Sequence, residues 1–384
     1  MNFFLTGVTG FLAGELLVTL LRRPEVKKVF CLIRAEDVNS ARARLKRVLD
    51  FHGDFFDEKR VIPILGDLSN ENLFKELMAN DIIRSTNIVI HAAANTSFSP
   101  AYKEDIRRVN IEGASKVFEW AATLPELENF VYIGTSWIYG SEQSHRVVFE
   151  DESPDISKKQ LVEYCRSKTI GEINVRKTIP ADKLLVVRPS IIMGDSRNWT
   201  PRSYVILWAL AAFDLMRLIG VNPDAACDVI PIDYASNSIV DLIFSRRHYN
   251  VYHISAGVKS STTMGQLINA IYIPDRPPYQ FIDNEMVKQL KLFAKKKLPE
   301  TSSLKKYQGH LDYLKQAFGE NGNLRKVLGA VDYYFQFVNL GLVFDNSRLI
   351  QDSSVGYPEY AHVYMGRNKM QLRKIDVMEG SVNP

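Results

Sequence analysis

The 384-residue sequence predicts an α/β fold, a Rossmann-type doubly wound parallel sheet carrying a smaller, mostly helical C-terminal substrate lobe. Three observations lead there. Short apolar runs at 2–6, 29–33, 61–65, 87–90, 130–133 and 184–189 are separated by longer stretches that include helical spacing, as strands buried on both faces and joined by crossovers require. The first run is broken by Gly7 and Gly10 and resumes at helical spacing over 11–21, giving strand, turn and helix in that order. A chain of this length with 46% hydrophobic and 24% charged residues can bury a large core. The predicted sheet domain covers 1–197 with a return strand within 228–250, and the lobe covers 198–227 and 251–384.

Taken in order, the first element is the one that implies a ligand. A turn nearly free of side chains lets backbone N–H groups and the positive end of a helix dipole approach a pyrophosphate. Gly7 and Gly10 supply that turn, and Ala13 stands where the usual fingerprint has a third glycine. The second strand ends in Arg34 rather than in an acid. A carboxylate there would accept from a ribose 2′-OH, whereas a guanidinium receives the 2′-phosphate of NADP. Arg44, in a helix that also carries Arg42, Lys46 and Arg47, is placed to close on the same phosphate. Gly66-Asp67-Leu68 follows the third strand at its carboxyl end, where open α/β sheets bind ligands, and positions Asp67 to accept from an adenine amino group. The fourth strand runs into His91-Ala92-Ala93-Ala94, three small residues that leave room for a ribose to pass close to backbone.

A helix over 102–122 contains Asn110, and the fifth strand delivers Gly134-Thr135-Ser136-Trp137-Ile138-Tyr139-Gly140. Tyr164-Cys165-Arg166-Ser167-Lys168 comes next. Tyr164 and Lys168 lie one helical turn apart on one face. An ammonium beside a phenol favours the ionised form, so a phenol pKa lowered from about 10 is expected, bringing proton donation within reach at neutral pH. A neighbouring hydroxyl, from Thr135 or Ser136, would then share a developing negative charge.

The N-terminal turn, the HAAA segment, a hydroxyl residue four positions before Tyr139-Gly140 and the Tyr-x-x-Ser-Lys helix occur in this order, and together they resemble the extended short-chain dehydrogenase/reductase superfamily over roughly residues 2–255. The resemblance implies catalysis by Thr135, Tyr164 and Lys168, with Thr135 preferred over Ser136. It implies cofactor contacts from Thr6, Gly7, Thr9, Gly10, Phe11, Leu12, Arg34, Arg44, Asp67, Leu68, Ala92, Ala93, Ala94, Asn110, Tyr164, Lys168, Pro189, Ser190 and Ile192, with NADPH as the cofactor.

The run Arg188-Pro189-Ser190-Ile191-Ile192-Met193-Gly194-Asp195-Ser196-Arg197 narrows the likeness. With Leu32-Ile33-Arg34-Ala35, the arginine-rich helix after it and the stretch from Asp228 to Tyr234, it is similar to the branch of fatty acyl-CoA reductases and the thioester-reductase domains of carboxylic acid reductases and nonribosomal peptide synthetases. The aromatic stretch 333–349 is similar to the C-terminal part of fatty acyl reductases. The activity this implies is NADPH-dependent reduction of an acyl thioester, on coenzyme A or an acyl carrier protein, to an aldehyde or on to an alcohol. The alternatives on the same scaffold are a ketone or aldehyde reductase, a nucleotide-sugar epimerase or dehydratase, and a cofactor sensor without turnover. The sensor has no use for Tyr164 and Lys168.

Between 198 and 227 the apolar run 204–213 reads as a core helix of the lobe and as a wall for an acyl chain, two readings that are compatible. Five lysines between 288 and 297 read as a solvated face, with a coenzyme phosphate, a carrier protein or a peripheral contact with an acidic membrane surface as the anionic alternatives. A net charge of +4 is too small to argue for nucleic acid. Cys31, Cys165 and Cys227 are widely spaced, suggesting neither a disulfide framework nor a metal site, and a reducing, cytoplasmic setting is expected. His248 and His253, the closest histidine pair, read as incidental. The run 204–213 is about half of what a bilayer span needs, and the first strand starts at residue 2 with no basic segment ahead of it. The final twenty residues are polar and are expected to be poorly ordered.

Overall fold

The computed structural model describes residues 1–197, 206–319 and 322–380. Residues 204 and 205 of the apolar run, the start of the insert at 198–203, and 381–384 of the polar tail lie outside the described residues; against the disorder expected of that tail, Lys369–Leu372 and Val377–Gly380 are helical, with Leu372 and Val377 buried in the lobe core.

Seven strands form the central sheet: β1 (Asn2–Thr6), β2 (Lys28–Ile33), β3 (Val61–Leu65), β4 (Ile88–His91), β5 (Asn129–Ile133), β6 (Leu184–Pro189) and β7 (Val251–Ile254). Their spatial order is β7-β6-β5-β4-β1-β2-β3, and each neighbouring pair is parallel. The order reverses between β1 and β4, so a crevice opens there at the carboxyl ends of the strands. Alternation within one strand explains the continuous apolar runs. Phe3 and Leu5 enter the core on one side of the sheet, and Phe4 enters the core on the other with Phe30, Phe118 and Trp120.

The helices that matter for the site are α1 (Phe11–Leu21), α2 (Val38–Asp50), α3 (Glu163–Thr178), α4 (Leu207–Met216), α5 (Ile232–Phe244) and α6 (Asn323–Asn339). Asp37 caps α2 by accepting from the Ser40 N–H at 2.7 Å. A third core gathers α4, α6 and the smaller C-terminal helices into the predicted helical lobe.

Two expected boundaries move. The stretch 228–250 is not a return strand: only Val229–Ile230 pairs, in parallel with Ile191–Ile192, and α5 follows immediately. Pro231 precedes that helix and Asp233 sits in its first turn, both favourable at a helix start. α5 packs on α1, where Thr19 Oγ1 and Ser236 Oγ are 2.7 Å apart. Residues 251–254, assigned to the lobe from sequence, instead extend the sheet beside β6, pairing His253 with Arg188.

Candidate active site

One cavity of about 1190 Å³ runs along the carboxyl ends of β1, β2, β4, β5 and β6 and on into the helical lobe. Its floor is the glycine turn. Gly7 has φ +75°, and a Cβ there would stand 2.7 Å from the Ala93 nitrogen; at Gly10 a Cβ would stand 3.0 Å from the Gly7 carbonyl oxygen. Only glycine lets the two strand ends approach so closely with the helix N-terminus exposed. Thr9, Gly10, Phe11 and Leu12 line the cavity beside it, as do Leu68, Ala92, Ala93 and Ala94.

Thr6 and Asn110 were expected to touch the cofactor, and both lie beneath the cavity instead. Thr6 is fully buried; its Oγ1 accepts from the Ala92 and Ala93 N–H groups at 3.2 and 3.1 Å and lies 3.0 Å from His91 Nδ1. Burial, then the charge of Lys168, lowers His91 to about 3, so its ring is neutral and its contact with Thr6 is a hydrogen bond between uncharged groups. Asn110 sits in a π-helical turn, Arg108–Gly113, a widened geometry that aims its amide at neighbouring chain. Its Oδ1 accepts from the Asn95 N–H at 2.7 Å, and its Nδ2 donates to the Asn95 carbonyl and Ser167 Oγ, both at 2.9 Å. Both residues hold the segment 92–95 in place.

At one end the cavity is cationic. The Arg34 side chain is 77% exposed, and its guanidinium approaches Asp67 at 3.8 Å. Arg44 donates to the Arg34 carbonyl and, at 3.3 Å, to Thr9 Oγ1, so it bridges the end of β2 and the glycine turn. Arg47, one turn further along α2, lines the same end, as does Arg108. Asp67 is committed to Ser69 as well as to Arg34. Burial works against its charge, but the Ser69 N–H and hydroxyl outweigh it and hold the carboxyl below its ordinary range. The lysines between 288 and 297 do not line the cavity: Lys288 pairs with Glu285 at 3.1 Å and Lys291 with Asp332 at 2.7 Å. The cationic rim belongs to the arginines.

At the centre, Thr135, Tyr164 and Lys168 all reach the cavity. Thr135 hydrogen-bonds the Tyr164 hydroxyl. Ser136, its rival, donates to the Arg188 carbonyl at 2.6 Å, is fully buried and does not line the cavity. Lys168 Nζ donates to the Ile133 carbonyl at 2.8 Å, and burial lowers its pKa to about 8. The expected lowering of Tyr164 does not occur. Burial, followed by Cys165, raises the phenol above its ordinary value, and the hydrogen bond from Thr135 only partly opposes this. Tyr164 is therefore a firmly protonated donor.

The helix bearing these residues is locked from beneath. Glu172, four residues after Lys168, accepts from Arg188 Nη2 at 2.6 Å and Nε at 3.0 Å, with both side chains fully buried. Arg188 also donates to the Tyr139 hydroxyl and to the Glu152 carbonyl. The Arg-Pro pair thus ties β6 to α3 and to the segment after Thr135, and Pro189, Ser190 and Ile192 emerge from it onto the cavity wall.

The far end is aromatic and apolar; Tyr334, Phe337 and Val338 come from the aromatic stretch 333–349 and Ile206 and Leu207 from the apolar run, whereas Phe98 was not singled out from the sequence. Phe98 lies 6.2 Å from Tyr164, 5.4 Å from Tyr334 and 5.1 Å from Phe337, ring centre to ring centre, and Trp137 meets Phe337 at 5.2 Å. Tyr334, Phe337 and Val338 follow an i, i+3, i+4 pattern on α6, the readable signal of one helical stripe. Among the described residues of the apolar insert, Ile206 and Leu207 line the cavity, while Leu210 is 1% exposed within the lobe core. His253 joins Tyr139 and the Asp345 carbonyl at 2.9 Å each, and no cluster of metal-ligating residues occurs among the described residues. All three cysteines are free and buried. Among the described residues no helix is long and apolar enough to cross a membrane.

A sequence model of the family described as Male sterility protein matches residues 5–239. The chain is 28% identical over 258 residues to a linear gramicidin synthase polypeptide of Brevibacillus parabrevis, covering 64% of this chain and 5% of that protein. It is 26% identical over 278 residues to fatty acyl-CoA reductase 1 of Homo sapiens, covering 62% of this chain and 53% of that protein. The chain thus spans about half the length of that reductase and far less of the synthase. Among solved structures, the terminal R domain from the myxalamid PKS-NRPS biosynthetic pathway aligns with a TM-score of 0.72 at 20% identity, over 97% of this chain and 90% of that one, a likeness of fold.

Proposed function

The chain belongs to the Male sterility protein family within the extended short-chain dehydrogenase/reductases, and from that premise we propose that it reduces an acyl thioester, carried on coenzyme A or an acyl carrier protein, with NADPH. One observation carries the reading: the Thr135, Tyr164 and Lys168 cluster stands in a single cavity between an arginine end and an aromatic, apolar end. A nucleotide sugar would need polar partners where Phe98, Phe337 and Val338 stand.

The residues present fit a nicotinamide dinucleotide. Gly7 and Gly10 with Thr9, Phe11 and Leu12 would hold the pyrophosphate; Asp67 and Leu68 the adenine; Arg34, Arg44 and Arg47 the 2′-phosphate. Ala92, Ala93 and Ala94 would flank the ribose, and Pro189, Ser190 and Ile192 the nicotinamide, which when bound supplies the hydride. The chain's own residues supply the rest. The Thr135 and Tyr164 hydroxyls donate to the thioester oxygen as negative charge develops on it, in a cavity that screens that charge poorly. Because burial keeps Tyr164 protonated, its proton passes only once the oxygen has become strongly basic. Lys168, on the same face, favours the resulting charge. The tetrahedral adduct then collapses with loss of thiol, and the sum is thioester plus hydride plus proton giving aldehyde plus thiol.

The test is a panel in which NADPH oxidation is followed with acyl-CoAs, acyl carriers, aldehydes, ketones and nucleotide sugars. Thiol release and aldehyde or alcohol formation with a medium- or long-chain thioester support the reading. Turnover of a ketone or nucleotide sugar with every thioester inert overturns it.

A further inference from the structure

At its apolar end the main cavity meets the start of α4. Leu207, the first residue of that helix and only 5% exposed, lines it together with Gly194, and the same two residues line a second, nearly filled cavity of about 10 Å³ on their other side. That volume holds about one water molecule. Its remaining walls are Met365, Asn368, Gln371, Leu372 and Ile375, from the C-terminal helices Ala361–Arg367 and Lys369–Leu372 and the turn after them.

We infer that Leu207 is the partition that sets the acyl-chain length, with the C-terminal segment as its backing; this rests on the thioester-reductase reading. Gly194 cannot yield: its φ is +72°, and a Cβ there would stand 3.0 Å from Met365 Sδ and 3.3 Å from Tyr364 Cε2. α4 cannot swing away either, because Trp208 Nε1 donates to the Val377 carbonyl at 2.8 Å. The Leu207 side chain is the removable piece. It stands on the substrate side, since Leu207 lines the same cavity as Tyr334, Phe337 and Tyr164. Trimming it joins the two cavities, and enlarging it shortens the main one.

Leu207→Ala and Leu207→Phe are compared with the unmodified chain using saturated acyl-CoAs from butanoyl to hexadecanoyl, as kcat/KM for NADPH oxidation and, without turnover, as calorimetric affinity. Leu207→Ala moves the optimum about two carbons longer and Leu207→Phe about two shorter, each methylene being worth a few-fold in affinity. Leu372→Ala moves it in the same direction as Leu207→Ala from behind the partition, and Leu210→Ala, buried in the same helix away from the cavity, leaves it in place. If the unmodified chain reduces thioesters but the Leu207 variants keep its chain-length profile, the partition is wrong and the thioester reading stands. If the unmodified chain reduces no thioester, the reading fails and the partition with it. Should Leu207→Ala not fold, Leu207→Phe and Leu372→Ala decide by the same opposite shifts.

Discussion

In the proposed reaction Tyr164 and Lys168 divide the work through opposite effects of one burial. Desolvation disfavours charge on both, raising the phenol and lowering the ammonium to about 8. Lys168 therefore keeps its charge below that value and loses it as pH rises through about 8, and the rate of reduction falls in the same direction. A pH profile of kcat at saturating NADPH checks this, and a limb rising with pH across that window contradicts it. Tyr164→Phe deletes the proton and one hydrogen bond in the transition state; turnover falls about a hundredfold or more with NADPH affinity nearly intact. At the other end, Arg34 stands where an acid would select the 2′-OH, so the proposal predicts that NADPH binds roughly tenfold more tightly than NADH and that Arg34→Ala removes most of the gap. Equal affinities in the unmodified chain, measured by fluorescence titration, would remove the basis for that assignment.

At the scale of elements, α3 is positioned by its buried end as much as by the cavity. Burial alone would raise Glu172, but Arg188 and Arg176 outweigh it and hold its carboxyl below 4.5. A depressed carboxylate contributes stability that is present above its unfolded value and is lost as pH falls through its folded one, so thermal stability drops on acidification below about 4.5. Glu172→Gln leaves Arg188 buried without a counter-charge, at a cost of about 3–5 kcal/mol, and turnover falls because Tyr164 and Lys168 ride on the same helix. A thermal midpoint unchanged by Glu172→Gln would contradict this account of the Arg-Pro pair. The sequence marked Arg188 only as part of a family-like run. Its contact with Glu172 joins two elements sixteen residues apart, and no local pattern shows a fully buried guanidinium.

Over the whole molecule, legibility follows how function is laid out along the chain. The dinucleotide half was readable because its residues stand at successive strand ends: Gly7, Arg34, Asp67, Ala92 and Thr135 each follow an apolar run. The lobe was less readable. α4 is apolar nearly all round, so periodicity gives it no face, and only Leu207 at its start meets the cavity. The aromatic wall brings Phe98 and Trp137 beside Phe337, across more than half the chain. The direction of the Tyr164 shift was misread because spacing does not reveal burial, and the Lys168 ammonium is turned to the Ile133 carbonyl. Thr6 and Asn110 bond the backbone of Ala93 and Asn95, a contact that a polar residue's place at a strand end or on a neighbouring helix does not reveal. The central claim, that this cavity joins hydride delivery to thioester cleavage, is tested most directly by recording NADPH loss and free-thiol release in one cuvette with a long-chain acyl-CoA or acyl carrier. Thiol appearing in step with NADPH loss, with both rates falling together in Tyr164→Phe, is the predicted result; NADPH consumed without thiol, or thiol released at an undiminished rate by Tyr164→Phe, would contradict it.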